Sequence, residues 1–176
     1  LSGANTFTGG VKLNAGKLII GGDSALGTGI FNAAAGTTLD ANAARTVGNA
    51  MTLGGNVTVA GSNDLTLNGP IAGSGGLTKN GAATLTLAGN SGFQGGVALN
   101  AGTLLLGNNN ALGMGGTLTT AAGTTLGATG TGLTVRNLIG LNGDLTINGP
   151  QNLSLNGVIS GSGNLTKNGG SILQLA

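Results

Sequence analysis

The chain has 176 residues, 39 of them glycine, with 6% charged and 2% aromatic residues and no cysteine or histidine. These counts exclude disulfides, thiolate metal sites and histidine-based triads, and a mean hydropathy of +0.31 argues against simple disorder, which needs low hydrophobicity and high charge. The net charge of +2 comes from six scattered basic residues against four acidic ones, with no Tyr or Trp to stack on bases, so nucleic acid is not an expected partner.

From Leu1 to Gly27 short apolar alternations, Val11 and Leu13, then Leu18 and Ile20, are separated by glycine corners, the pattern of an all-β chain. Phe7 and its later counterpart Phe93 are expected to fill the core beside a turn. Residues 28–64 are less regular, with strands expected near Thr37 to Leu39, Met51 to Leu53 and Val57 to Val59. Ala41 to Ala44, bracketed by Gly36 and Gly48, is too short for a stable helix and reads as an extended rung or surface turn. From Asp64 onward the signal sharpens into DLTLNGP, LTKNG at Leu77 and LTLAG at Leu85. It returns as DLTINGP at Asp144, LSLNG at Leu153, LTKNG at Leu165 and LQL at Leu173. The turns are expected at Asn68-Gly69, Asn80-Gly81, Asn148-Gly149, Asn156-Gly157 and Asn168-Gly169.

Asn-Gly is also a strong hairpin signal, so an antiparallel meander competes with a solenoid. The spacing favours the solenoid: Leu65, Leu85, Leu104, Leu126, Leu145 and Leu165 fall roughly 20 residues apart, one coil of a three-faced β-solenoid, and form an expected core column. A longer repeat is superimposed, because Leu1 matches Leu87, Ala34 to Leu39 match Ala121 to Leu126, and Gly73 matches Gly161, a period of about 86 to 88 residues. Residues 1–86 and 87–176 therefore read as two successive units of one solenoid, expected to be a segment of a longer periodic polypeptide. If the period returns to the same phase it requires four coils of about 22 residues rather than about 20, so the coil length stays open at about 20–22. Either value gives about eight or nine coils and a rod about 40 Å long at the usual strand spacing of about 4.8 Å. The aliphatic burial available within one coil is smaller than the backbone entropy the coil loses, so each coil depends on its neighbours and open ends are sticky strand edges.

The residues LTKNGAATLTLAGNSGFQGGVALNAGTLLLGNNNALG, Leu77 to Gly113, resemble the autotransporter-associated β-strand repeat, also called the passenger-associated transport repeat. The marks are the LTKNG lead-in, the pair Leu85 and Leu87, Gly89-Asn90, Phe93 before Gly95-Gly96, Ala101 to Leu104, and the closing Asn110 to Gly113. Leu1 to Gly27 and Leu165 to Ala176 carry partial copies. The resemblance implies a right-handed parallel β-helix in the passenger of a type V secreted protein at the surface of, or outside, a Gram-negative bacterium. It also implies export through an outer-membrane β-barrel translocator, with the repeats assisting by folding outside the cell. On this basis the chain is expected to be a non-catalytic stalk or extracellular fibre, with neighbouring repeats or end-to-end copies of itself as partners. The alternative is an adhesin-type module that contacts glycans or surfaces through a solenoid face.

Candidate chemistry is sparse. Glutamate is absent, and the four acids, Asp23, Asp40, Asp64 and Asp144, are far apart in sequence, which disfavours paired-carboxylate glycosidase chemistry. Polysaccharide lyases on β-helices combine carboxylates with a basic residue, which makes Asp40, Asp64, Arg45 and Arg136 the set to locate. No calcium nonapeptide series and no phosphate loop is present, so no catalytic residue, metal, cofactor or small-molecule substrate is expected. Lys79 and Lys167 occupy equivalent places and are expected on one side about four coils apart, serving solubility and edge protection rather than an anionic partner. The N-x-[ST] sequons at Asn56, Asn152 and Asn164 carry no automatic meaning in a bacterial surface protein.

Overall fold

A computed structural model describes residues 1–176, and in it the chain winds into a three-sided solenoid of short parallel strands with no helix. The first face stacks Val11–Leu13, Phe31–Ala33, Met51–Leu53 and Ile71–Gly73, and resumes with Leu133–Val135, Leu153–Leu155 and Leu173–Leu175. Between these two runs irregular backbone keeps the ladder going: Gly92 N–H donates to Ile71 O at 2.8 Å and Met114 N–H to Phe93 O at 3.1 Å. The second face has eight strands, Lys17–Ile20, Thr38–Ala41, Val57–Val59, Leu77–Lys79, Val97–Leu99, Leu118–Thr120, Ile139–Leu141 and Ile159–Gly161, which makes eight coils. The third has seven, from Arg45–Val47 through Leu65–Leu67, Thr84–Leu87, Thr103–Leu106, Thr124–Ala128 and Leu145–Ile147 to Leu165–Lys167.

All strand pairs are parallel, and the single antiparallel bridge, Ala128 to Gln151, lies outside them, so the Asn-Gly pairs turn corners and close no hairpins. Strands of three to five residues suffice because all but the end strands lie between coils that satisfy their backbone. Hydrogen bonding continues past the strands: 51 of the 90 backbone hydrogen bonds are not between strand residues, and most of these join one coil to the next at strand ends and corners. Alternate side chains point inward and merge into one apolar core of 35 buried residues along the rod. The one-dimensional stability expected of a repeat protein follows from this continuity.

Register gives steps from 19 residues, Leu85 to Leu104, to 22, Leu104 to Leu126, with most at 20 or 21, so the coil averages nearer the shorter of the two values. Leu65 lies on Leu85, and coil-to-coil hydrogen bonds such as Thr84 N–H to Asp64 Oδ1 span 20 residues. The long period therefore does not return to the same phase, as the longer coil would require. LTKNG at Leu77 lies on the second face and its copy at Leu165 on the third, and Val11–Leu13 lies on the first face while its copy Val97–Leu99 lies on the second. By contrast the two DLTxNGP segments, beginning at Asp64 and Asp144, both lie on the third face, four coils apart. One long period is four coils plus one face, and Lys79 and Lys167 stand on different faces rather than on one side.

The leucine column also has a step. Leu65, Leu85, Leu104 and Leu126 stack in order, but Leu126 continues onto Ile147, while Leu145 lies on Thr124 and Leu165 on Leu145. Leu145 and Ile147 both point inward, so a shift of two positions preserves the buried face, and the longer strand Thr124–Ala128 accommodates it. Leu65 through Leu145 are buried, whereas Leu165 in the final coil is only partly covered. Phe93 is fully buried, but Phe7, before the first complete coil, is 41% exposed.

Candidate functional site

The polar side chains sit mostly at corners, where a strand ends and its last backbone groups lose their ladder partners. Asp64 Oδ1 accepts from Thr84 N–H at 2.7 Å, Asp144 Oδ1 from Asn164 N–H at 2.8 Å, and Asp23 Oδ1 from Thr46 N–H at 3.1 Å. Asn56 and Asn152 do the same for Gly76 and Ile172. These side chains bind one coil to the next, and so does Asn164, whose Nδ2 donates to Asp144 Oδ1 at 3.0 Å, so all three sequon asparagines make coil-to-coil bonds.

Asp40 is the most elaborated acid. Its carboxylate, 4% exposed, accepts from the Ala41 and Ser62 N–H groups and the Ser62 hydroxyl, and meets Lys17 Nζ at 2.5 Å. Burial pushes its pKa up, but the Lys17 ammonium, the Ser62 hydroxyl and the two N–H groups together outweigh that and hold it at about 2. Asp40 pairs with Lys17 rather than with an arginine, and Arg45 donates to Asn42 Oδ1 at 3.1 and 3.2 Å. Asp40 lies on the second face and Arg45 on the third, and Asp64 and Arg136 are engaged with neither side chain, so no lyase-like cluster assembles.

At Asn68, Asn80, Asn148, Asn156 and Asn168 the backbone N–H makes the closing rung of a strand, donating to Val47, Val59, Leu126, Val135 and Ile147 respectively. Two different demands select the following glycine. Gly81 and Gly169 have φ of +71° and +74°, the left-handed region. Gly69, Gly149 and Gly157 are instead sites of close approach; at Gly157 a Cβ would lie 1.9 Å from Asn137 O. Side-chain ladders reinforce two corners, Asn100 Nδ2 donating to Asn80 Oδ1 and Asn110 Nδ2 to Asn90 Oδ1, each at 2.9 Å.

Lys79 departs from the surface role expected of it. Leu77 and Lys79 both point inward with Thr78 outward, and Lys79 is completely buried. Its Nζ donates to Asn80 O and Gly81 O at 2.8 Å and to Ala101 O of the next coil at 3.2 Å. No carboxylate neutralises it; burial lowers its pKa, and the Asp64 charge opposes that only in part. Lys167, in the eighth coil, bonds the equivalent carbonyls Asn168 O and Gly169 O but is only half-buried. The LTKNG corner thus occurs twice, and at the first the next coil lies over the ammonium. The L-T-K alternation in the sequence already carried the signal, since period two puts Lys79 on the side of Leu77.

The family model of the passenger-associated transport repeat matches residues 1–20 and 77–106. The chain carries the passenger-associated transport repeat. The second match opens on the first LTKNG corner and ends with Thr103–Leu106, so one repeat occupies about a coil and a half. Over 175 residues the repeat-bearing chain is 36% identical to the adhesin BmaC autotransporter of Brucella suis biovar 1 (strain 1330), an alignment covering 96% of this chain and 4% of that relative. The chain therefore spans only a small part of the relative it matches. No solved structure matches it.

Proposed function

We propose that the chain is a non-catalytic structural segment of an autotransporter-like passenger, displayed outside a Gram-negative cell, whose work is to fold into a stiff rod and set a distal region away from the membrane. Residues 1–86 and 87–176 act as two successive units, an outer-membrane β-barrel translocator elsewhere in the full protein is the export partner, and folding outside the cell assists passage. The observation that carries this reading is the continuous apolar core along all eight coils, with the four carboxylates engaged in corner bonds. The repeat match and the autotransporter relative support the setting.

Deletion in the full-length protein tests it. Removing residues 65–144 joins Asp64 to Leu145 and keeps the third face in phase, so the passenger should still reach the surface and resist protease, shorter by about four coils or about 19 Å. Removing residues 65–133 breaks the phase and should give protease-sensitive passenger. Equal behaviour of the two deletions would refute a phase-dependent rod. A second reading, an adhesin-type binding module, is favoured by the relative's name as an adhesin and by an open corner groove beside Arg136.

A further inference from the structure

Each unit has a corner where Ala-Leu-Gly folds beneath an asparagine of the next coil. Asn49 Nδ2 donates to Gly27 O at 3.0 Å and Gly29 O at 2.7 Å, and Asn137 Nδ2 to Gly113 O at 3.3 Å and Gly116 O at 3.0 Å. An open groove lies at each corner, about 270 Å³ at the first and about 390 Å³ at the second. Their architecture is shared, but their chemistry differs. Where the first has Asp23, Thr28 and Gly48, the second has Asn109, Met114 and Arg136.

Arg136 is exposed and makes no ion pair or hydrogen bond, unlike Arg45. Asn109 uses Oδ1 to accept from Thr134 N–H, which leaves its Nδ2 to donate; Asn110 uses Nδ2 on Asn90, which leaves its Oδ1 to accept. Met114 and Leu138, 67% and 54% exposed, supply an apolar flank. A free guanidinium fork, one amide donor, one amide acceptor and an apolar flank match the functional groups of a pyranose bearing a carboxylate: the acid, the hydroxyls and the C–H face. We propose that the Arg136 groove binds an acidic saccharide residue and that the Asp23 groove, with the opposite charge, does not. This rests on the second reading, that the segment binds, and adds the place and the ligand class.

The test is titration of the full-length protein with a glucuronate-terminated tetrasaccharide and with its glucose-terminated counterpart. The acidic probe should bind at least about tenfold tighter than the neutral one, and Arg136→Gln should weaken it by a similar factor. Tenfold corresponds to about 1.4 kcal/mol, near the lower end of what a hydrogen bond to a charged group contributes. Arg136→Lys should retain part of the affinity, Met114→Ala should lower it for the acidic probe, and Asp23→Ala should leave it unchanged. No binding of either probe would overturn the binding reading and the proposal with it. Binding unaffected by Arg136→Gln would overturn the site alone, and equal displacement by an acidic peptide would overturn the saccharide assignment.

Discussion

Replacing Asp40 by Asn keeps an oxygen for the Ala41 and Ser62 N–H groups but removes the charge facing Lys17. The native carboxyl titrates at about 2 against 3.8 for the unperturbed group. Its contribution is present above the unfolded pKa and is lost as pH falls through the folded one. The linkage integral gives about 2.4 kcal/mol at pH 7 and about 0.4 kcal/mol at pH 2, figures at the upper end because Lys17 is half in water. Asn does not titrate, so the stability gap between native and variant should change by about 2 kcal/mol between the two pH values, whatever constant offset the amide introduces. Hydrogen exchange followed by mass spectrometry in the full-length protein reads this at peptides covering residues 38–62. The ratio of variant to native opening should be about 30-fold larger at pH 7 than at pH 2. A ratio independent of pH would refute the assignment of the low pKa to the Lys17 and Ser62 contacts.

The caged ammonium predicts a chemical silence. Amine acylation of the folded protein should modify the exposed Lys12 readily and leave Lys79 unmodified; labelling of Lys79 at the rate of Lys12 would show that the cage is open in solution. Because its native pKa is depressed, the buried lysine destabilises the fold while charged, and this penalty should fade as pH rises from the native value toward 10.5; comparing urea unfolding of the native protein with that of Lys79→Met from pH 8 to 10 reads the change. Two glycine substitutions separate the two reasons for corner glycine. Gly123→Ala, at φ +77° with nothing near the added carbon, should cost about 1–2 kcal/mol, the penalty of the left-handed conformation alone. Gly157→Ala must push Asn137 O away and should cost more, seen as faster exchange across two coils; the reverse order would contradict the close approach.

Much of the rod is legible in short patterns. Period-two alternation places Leu65, Leu85 and Leu104 inward, and their regular spacing gives a coil because a three-sided rod returns each strand to its own face. The same alternation cannot distinguish Leu145 from Ile147, two chemically similar inward neighbours, and the column slips there by two places. Strands Phe31–Ala33 and Arg45–Val47 escape notice because FNA and RTV carry too little apolar contrast, although register aligns Phe31 with Val11 and Arg45 with Leu65. Corner bonds such as Asp64 to Thr84 join residues that no local pattern links, and they become visible only once the coils are stacked. The orientation of the Lys79 ammonium is the opposite case, an inward position readable from LTK but masked by the habit of assigning charge to the surface.

The offset of four coils and one face makes a tandem array of these units a spiral staircase. Each added unit turns its successor by a third of a circle, and any surface patch regains its bearing only after three units, or thirteen coils. In the proposed stalk, a region carried at the far end would be steered as well as lifted by copy number: inserting one unit changes the face from which it continues, whereas inserting four plain coils keeps that face. Two proteins differing by a single unit would present the same cargo to different neighbours.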